Sequence, residues 1–436
     1  MSPMKLYFDV RDIFRAPRLA LSGKKILVFT QALLIGYFAY LILTYISFGL
    51  AGYTFSDTWS RYGLYPCLHG NPGPWFAYLI YWIGAILLLL AVNFGCTAVS
   101  RITYKQLKGD EFFSSGDAWK YVKKHWYPVL FTSISFLFIL AFFFGLAAFF
   151  GLLGKIPYVG EFLFVIPYLL YFFGAIFTIY TAIVFGVSFL YTPAIISAYE
   201  EDTMGTVFNS YSITWSQPWR IILYHLVLLP IGILAIKVFS WFWMGGFHLI
   251  NWFFGCEWFM GSKLANIVAY ASNMVFPDSL CRLASSICCA GHDTAFCIGH
   301  ASVCCADHLS SCIGNLFSSC NTIANVDLAA LSGTETAAGV ILAVFLFLLI
   351  FSAGAYLLSI FSVGETLMFV IFKMKSDDDN LLERKDEDEL EEEEDEDDSG
   401  FSPDETEDDG DDDTGSEKET DNGGADDKPA SPDNEE

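Results

Sequence analysis

The chain has 436 residues, 54% of them hydrophobic and only 17% charged, with a formal net charge of −25. Soluble domains carry roughly 25% charged residues, so a water-soluble globular body is excluded. The charge is also segregated: Ser376 to Glu436 holds 32 Asp/Glu and 4 Lys/Arg, a net of −28, which leaves +3 for residues 1–375.

The N-terminus lacks the form of a cleavable secretory signal, a short basic start followed by an apolar stretch of roughly 7–15 residues and a small-residue cleavage site. Residues 1–25 are of mixed charge and read as a cytoplasmic amphipathic segment. Apolar runs follow at 26–52, 75–100, 127–153, 162–196, 218–245 and 337–373. Each exceeds the ~20 residues a spanning helix needs. Pro167 and Pro193 bracket the fourth span; the sixth is too long for one upright crossing, so it tilts, bends near Gly354 or projects beyond the bilayer. A β-barrel would show short alternating segments, which continuous apolar runs such as Leu137–Phe144 exclude. The expectation is an all-α membrane protein. It has about six transmembrane helices with interfacial amphipathic helices, five of the spans lying in 26–245 and the sixth in 337–375. A Cys-rich extracytoplasmic loop domain at 246–336 and a disordered acidic C-terminal tail at 376–436 complete the chain.

Lys5, Arg11, Arg15, Arg18, Lys24 and Lys25 precede the first span, Arg101, Lys105, Lys108, Lys120, Lys123 and Lys124 fill the second connection, and Lys373 and Lys375 close the last. With six spans all three clusters fall on one side, so the positive-inside rule puts both termini in the cytoplasm. Trp241 and Trp243 then mark the outer end of helix five as an aromatic belt. A looser repeat runs through the body, each odd-numbered span being preceded by an amphipathic stretch: Tyr7–Phe14, Asp117–Trp126 and Met204–Trp215. In the second, Trp119, Val122 and Trp126 share a face, and Ser114 or Ser115 is the expected N-cap. Three units of interface helix plus hairpin follow.

The stretch Phe8-Asp9-Val10-Arg11-Asp12-Ile13-Phe14-Arg15-Ala16-Pro17-Arg18 resembles uncharacterised bacterial multi-pass integral membrane proteins. So does Gly364-Glu365-Thr366, which runs into a basic stop and an acidic segment ending Asn380-Leu381-Leu382-Glu383. More distantly, the interface-helix and hairpin arrangement is similar to the membrane domain of glycerophosphodiester phosphodiesterases. The resemblance covers residues 5–240 and 340–383. It implies a helical protein of the bacterial inner (cytoplasmic) membrane, N-in and C-in, and carries no catalytic residues across; a eukaryotic endomembrane or plasma membrane is the alternative location.

Segment 246–336 departs from that pattern. It holds Cys256, Cys281, Cys288, Cys289, Cys297, Cys304, Cys305, Cys312 and Cys320; Cys67 lies in the other sizeable outer loop and Cys96 within a span. Ten cysteines on the non-cytoplasmic side is the usage of disulfides in an oxidising compartment. At least three disulfides are expected among them. Within the cluster Cys289/His292, Cys297/His300 and Cys305/His308 repeat a Cys-x-x-His spacing compatible with zinc or copper, although the longer spacer of a compact zinc site is missing. A disulfide-stapled loop is the better reading, metal binding the alternative.

Within the spans, Gln31, Asn93, His225 and Glu365 lie at similar depths from the cytoplasmic ends. An ionisable group inside a span is a functional candidate because charge there is costly. Glu365 and His225 at matched depth could pair, share a proton or bind a polar group; plain interhelical hydrogen bonds are the blander alternative. Lys237, near the outer end of helix five, snorkels. Phosphate-binding glycine loops, His-Glu-x-x-His and nucleophile elbows are missing, so neither enzyme activity nor a cofactor is expected.

The tail cannot bury enough apolar surface to order itself. Its charge repels nucleic acid and anionic lipid; a solvated tail that limits aggregation is the leading reading, with basic protein partners or divalent cations as the alternative. The leading expectation is a non-enzymatic, membrane-organising or lipid-binding protein with membrane lipids as partners. The alternatives are a transporter or channel using the Glu/His belt, and an outer-face redox or metal-handling protein.

Overall fold

In lipid a backbone can satisfy its own N–H and C=O groups only as a helix or a closed barrel. The computed structural model describes residues 4–275 and 331–386, and among these residues there are helices and no strand. A 3₁₀ turn at Val10–Arg15 leads into α1 (Ala16–Ala20), which carries Pro17 in its first turn where no N–H is needed. Then come α2 (Gly23–Leu50), α3 (Phe55–Tyr62), α4 (Trp75–Lys108), α5 (Ser115–Lys124), α6 (Trp126–Leu153), α7 (Val159–Val165) and α8 (Tyr168–Tyr199). The series ends with α9 (Thr203–Ser216), α10 (Pro218–Phe254), α11 (Ser262–Val275) and α12 (Gly333–Asp377).

Helices α2, α4, α6, α8, α10 and α12 are the six that are long and apolar enough to cross a membrane. The order is periodic. A short helix (α1, α5 or α9) precedes a long one, a second short helix (α3, α7 or α11) sits in the connection, and a second long one packs back on the first. Side-chain caps start the leading helices: Ser114 Oγ accepts from Asp117 N at 3.2 Å, and Asp202 Oδ1 from Gly205 N at 2.8 Å.

Glycine sets the closest pair. A Cβ on Gly36 would lie 2.7 Å from Ala91 Cβ, and one on Gly95 2.9 Å from Ala32 Cβ, so α2 and α4 meet at a distance that larger residues would forbid. At the far end of this hairpin Tyr37 and Tyr40 donate to Leu64 O (2.5 Å) and Pro66 O (2.7 Å), pinning the connection.

Every residue from Ser362 to Lys373 is buried. Successive helical residues point in all directions, so this stretch of α12 is enclosed on all sides; it touches α1, α2, α4, α8 and α10 and forms the axis of the bundle. The outer halves of α6 and α8 are the opposite case, with Phe138, Phe142, Phe144, Leu169, Phe172 and Phe173 all exposed, a surface suited to lipid.

Three boundaries differ from expectation. Helix α10 does not stop near residue 245 but runs on through Gly245 and Gly246 to Phe254. Lys237 is consequently an exposed mid-helix residue and not an end residue. At 37 residues α10 spans ~55 Å and at 45 residues α12 spans ~67 Å, well beyond a ~30 Å hydrocarbon core. Helix α11, inside the expected loop domain, lays Val268, Ala271 and Val275 against Ala343 and Leu346 of α12. Lastly, the tail does not begin at residue 376. Residues 378–386 fold back as a strap, with Leu381 fully buried and Leu382 nearly so. The rest of the expected acidic tail, 387–436, and most of the Cys-rich segment, 276–330, lie outside the described residues.

Candidate functional site

The four intramembrane polar residues divide into two pairs. Gln31 is exposed on α2, and its Oε1 accepts from Trp119 Nε1 at 2.9 Å, tying α5 to the first span. Asn93 donates to Leu89 O of its own helix at 3.0 Å. Both are satisfied away from the bundle axis, so depth alone had grouped residues that face different ways.

Glu365 and His225 do face the axis. Glu365 is 7% exposed and sits within the enclosed stretch of α12, in electrostatic range of Cys96 on α4 and Tyr191 on α8. Tyr191 presents its ring edge-on to His225, centroids 5.7 Å apart, and donates its hydroxyl to Met368 Sδ at 3.3 Å. His225 Nδ1 lies 2.8 Å from Ile221 O of its own helix, while its Nε2 is buried without a partner. Among the described residues Glu365 and His225 form no hydrogen bond or ion pair with each other; Tyr191 is their common neighbour. Serines line the adjacent α4–α12 contact, where Ser100 and Ser362 hydroxyls lie 3.1 Å apart and Ser362 donates to Cys96 O at 3.0 Å.

A second constellation, at the end of the bundle that carries the basic residues, was read from sequence only as a topology signal. Arg101 of α4 is fully buried. Its guanidinium lies 2.6 Å from Glu200 Oε1, 2.9 Å from Ser197 O and 3.4 Å from Asp386 Oδ2, and 4.3 Å over the Tyr121 ring. Glu200 closes α8 in the left-handed region (φ 57°), a conformation that costs a non-glycine residue on the order of 1 kcal/mol and is held here by the ion pair. Asp386 also reaches Lys105 Nζ at 2.8 Å and Lys108 Nζ at 3.1 Å. Burial works to raise the Asp386 carboxyl, but Arg101, Lys105 and Lys108 outweigh it and hold the group below the usual carboxylate value. The signals available beforehand were the 101/105/108 helical spacing and the apolar Leu381-Leu382 pair inside an acidic run.

The bundle surface carries two apolar grooves. One, of about 670 Å³, lies between α6, α8 and α9, lined by Phe131, Phe138, Phe177, Val207, Phe208 and Tyr211. The other, about 530 Å³, lies between α10 and α12, lined by Phe239, Trp243, Phe247, Leu346 and Ile350.

Of the disulfide candidates, Cys67 and Cys256 are free thiols in the structure, as is Cys96. Cys67 places its Sγ 3.5 Å from Tyr81 Oη, and the exposed Cys256 donates its thiol to Trp252 O at 3.3 Å. Cys281 to Cys320, with His292, His300 and His308, lie outside the described residues. Among the described residues no group of three or more His, Cys, Asp or Glu could hold a metal ion.

Among the described residues, six long apolar helices, one of them the buried α12, define a multi-pass, all-helical membrane protein. The chain matches no family model, no curated protein and no solved structure.

Proposed function

We propose that this is a non-enzymatic membrane protein that binds lipid acyl chains on its flanks. It sits in a bacterial inner membrane with both termini inside, an orientation supported by the Lys/Arg asymmetry. The observation that carries the lipid reading is the groove between α6, α8 and α9. Its volume of about 670 Å³ falls within the roughly 300–1,000 Å³ of ligand pockets. Its walls are almost wholly apolar and aromatic. One wall, α9, is a short helix whose exposed faces include Phe208 and Trp215, so the groove runs from a membrane-boundary helix along two spans. An acyl chain fits this chemistry, since a polar ligand would find few partners. The test is native mass spectrometry of lipids retained after detergent extraction. Ser135→Trp, which fills the groove from α6, should reduce the retained lipid; unchanged retention in a folded variant would refute the reading.

A second reading, passage of a proton or polar solute along the axis, is supported by the buried Glu365 carboxyl group and the orphaned His225 Nε2. Proteoliposome flux that Glu365→Gln abolishes would favour it. Equal flux in protein-free vesicles would remove it.

A further inference from the structure

One carboxylate, that of Asp386, spans three cations of a single helix. Its Oδ2 contacts Lys105 and Arg101 at 2.8 and 3.4 Å, and its Oδ1 contacts Lys108 at 3.1 Å. Positions 101, 105 and 108 share a face of α4, so the cationic stripe is fixed by that helix and not by the strap that covers it. A planar guanidinium beside two ammonium groups, converging on separate oxygens of one anion, is a donor set suited to a phosphate group. The two carboxylates at the stripe differ in how they are held. Glu200 is fixed at the end of α8. Asp386 arrives at the end of a nine-residue strap that begins at Asp378, a left-handed C-cap (φ 51°) which turns the chain back after α12. The strap is held through its backbone and its side chains: Tyr104 donates to Leu381 O at 2.7 Å, Lys108 to Arg384 O at 2.7 Å, and Tyr199 to Asp379 Oδ2 at 2.7 Å.

We propose that the Arg101–Lys105–Lys108 stripe is a binding site for a phosphate-bearing anion, and that the strap docks Asp386 in it as a built-in occupant. A short tether gives the carboxylate an effective concentration of order mM. Asp386 brings a single negative charge and two oxygens, whereas a phosphate monoester brings about −1.5 to −2 and three terminal acceptors, so the ligand can displace the strap. Displacement withdraws Leu381 and Leu382 from the bundle. The stripe lies within two turns of the end of α4, the level at which a lipid phosphate would sit; a free phosphate offers the same chemistry. This site is separate from the apolar groove between α6, α8 and α9, and its test can fail while the groove reading stands.

The experiment uses the full chain in nanodiscs, with inorganic phosphate in solution as one arm and phosphatidic acid against phosphatidylcholine in the disc as the other. Asp386→Asn removes that one charge from the stripe, while Glu200 stays on Arg101. If the strap is displaced in one wild-type molecule in ten, apparent phosphate affinity should rise about tenfold. The gain should vanish in Lys105→Gln/Asp386→Asn and be absent in Glu383→Gln, which changes the charge equally, is exposed outside the stripe and keeps an acceptor for Asn380 Nδ2. A gain with inorganic phosphate identifies a free-phosphate site; a gain confined to phosphatidic acid identifies a headgroup site. No gain in either arm, or a gain that survives loss of Lys105, overturns the proposal. Should Asp386→Asn fail to fold, amide exchange in wild-type protein decides: phosphate at matched ionic strength should speed exchange in residues 379–386, and unchanged exchange with both ligands overturns it.

Discussion

Replacing Arg101 by methionine preserves much of the side-chain volume and removes the one guanidinium buried in the bundle. Glu200 and Asp386, whose side chains are 7% and 2% exposed, lose that partner, although Asp386 keeps Lys105 and Lys108. Breaking a buried ion pair from one side costs ~3–5 kcal/mol, because the remaining charge is stranded. The Arg101 contact over the Tyr121 ring, worth up to ~2 kcal/mol when desolvated, disappears in the same step and is not additive with the pair. We expect a loss of ~3–5 kcal/mol for Arg101→Met. Arg101→Met/Glu200→Gln removes the stranded charge as well and should recover at least about half of that loss. Unfolding by dodecyl sulfate in mixed micelles, followed by tryptophan fluorescence, measures both variants. A single variant within ~1 kcal/mol of wild type, or a double variant worse than the single, would show that Arg101 is a solvated surface charge in the membrane-bound protein and refute the buried network.

Gly36→Leu drives a side chain into Ala91 and Leu88 of α4 and should cost ~1–3 kcal/mol by overpacking, measured in the same assay; a silent result would mean the α2–α4 approach is looser than described. Gln31→Leu removes the acceptor of the Trp119 indole at an exposed site and should cost ~0.5–1.5 kcal/mol, seen as faster amide exchange in residues 115–124. Because the folded carboxyl of Asp386 lies below its ordinary 3.8, the strap contact is at full strength above pH 3.8 and is lost as the pH falls further, through the folded value. Amide exchange in 379–386 at fixed salt should therefore stay slow from neutrality to about pH 4 and rise only below it; release near pH 6 would contradict the sign.

The spans were legible because hydrocarbon imposes a single requirement, an unbroken apolar helix, and the chain states it six times without ambiguity. Ser114 as the cap of α5 was legible for a similar reason: a hydroxyl residue three positions before an acidic one opens a helix by local geometry alone. Facing was not legible. Gln31 and Glu365 lie at comparable depth, yet one meets Trp119 at the periphery and the other the bundle axis, and only the rotation of each helix decides between them. The strap was hidden by averaging. An acidic segment scores as disordered on composition, but Leu381, Leu382 and Asp386 each have a dedicated place on the bundle, and three such contacts suffice to order a short tether.

The periodic order of helices explains why the charged stripe and the axial carboxylate share the same helices. Each unit contributes a hairpin whose two ends open on the basic side, so three hairpins bring their leading short helices and their closing turns together there. The third unit differs in one respect: its second long helix, α12, takes the axis, touches helices from all three units, and is buried throughout Ser362–Lys373. A polar group on that stretch cannot snorkel to water along its own surface, so Glu365 must be met by partners or held neutral, whereas Lys237, on the exposed flank of α10, can extend towards the boundary. Where α12 ends, the chain also emerges on the basic face, and its next residues reach the cationic stripe of α4. Asp386 is therefore captured by Arg101, Lys105 and Lys108 as a consequence of where the axial helix leaves the bundle. If so, moving that exit should uncouple the two sites: inserting four residues after Asp377 should release the strap, read as faster exchange in residues 379–386, while leaving Glu365 enclosed. Loss of protection around both would mean that the strap, and not the three-unit packing, holds α12 on the axis.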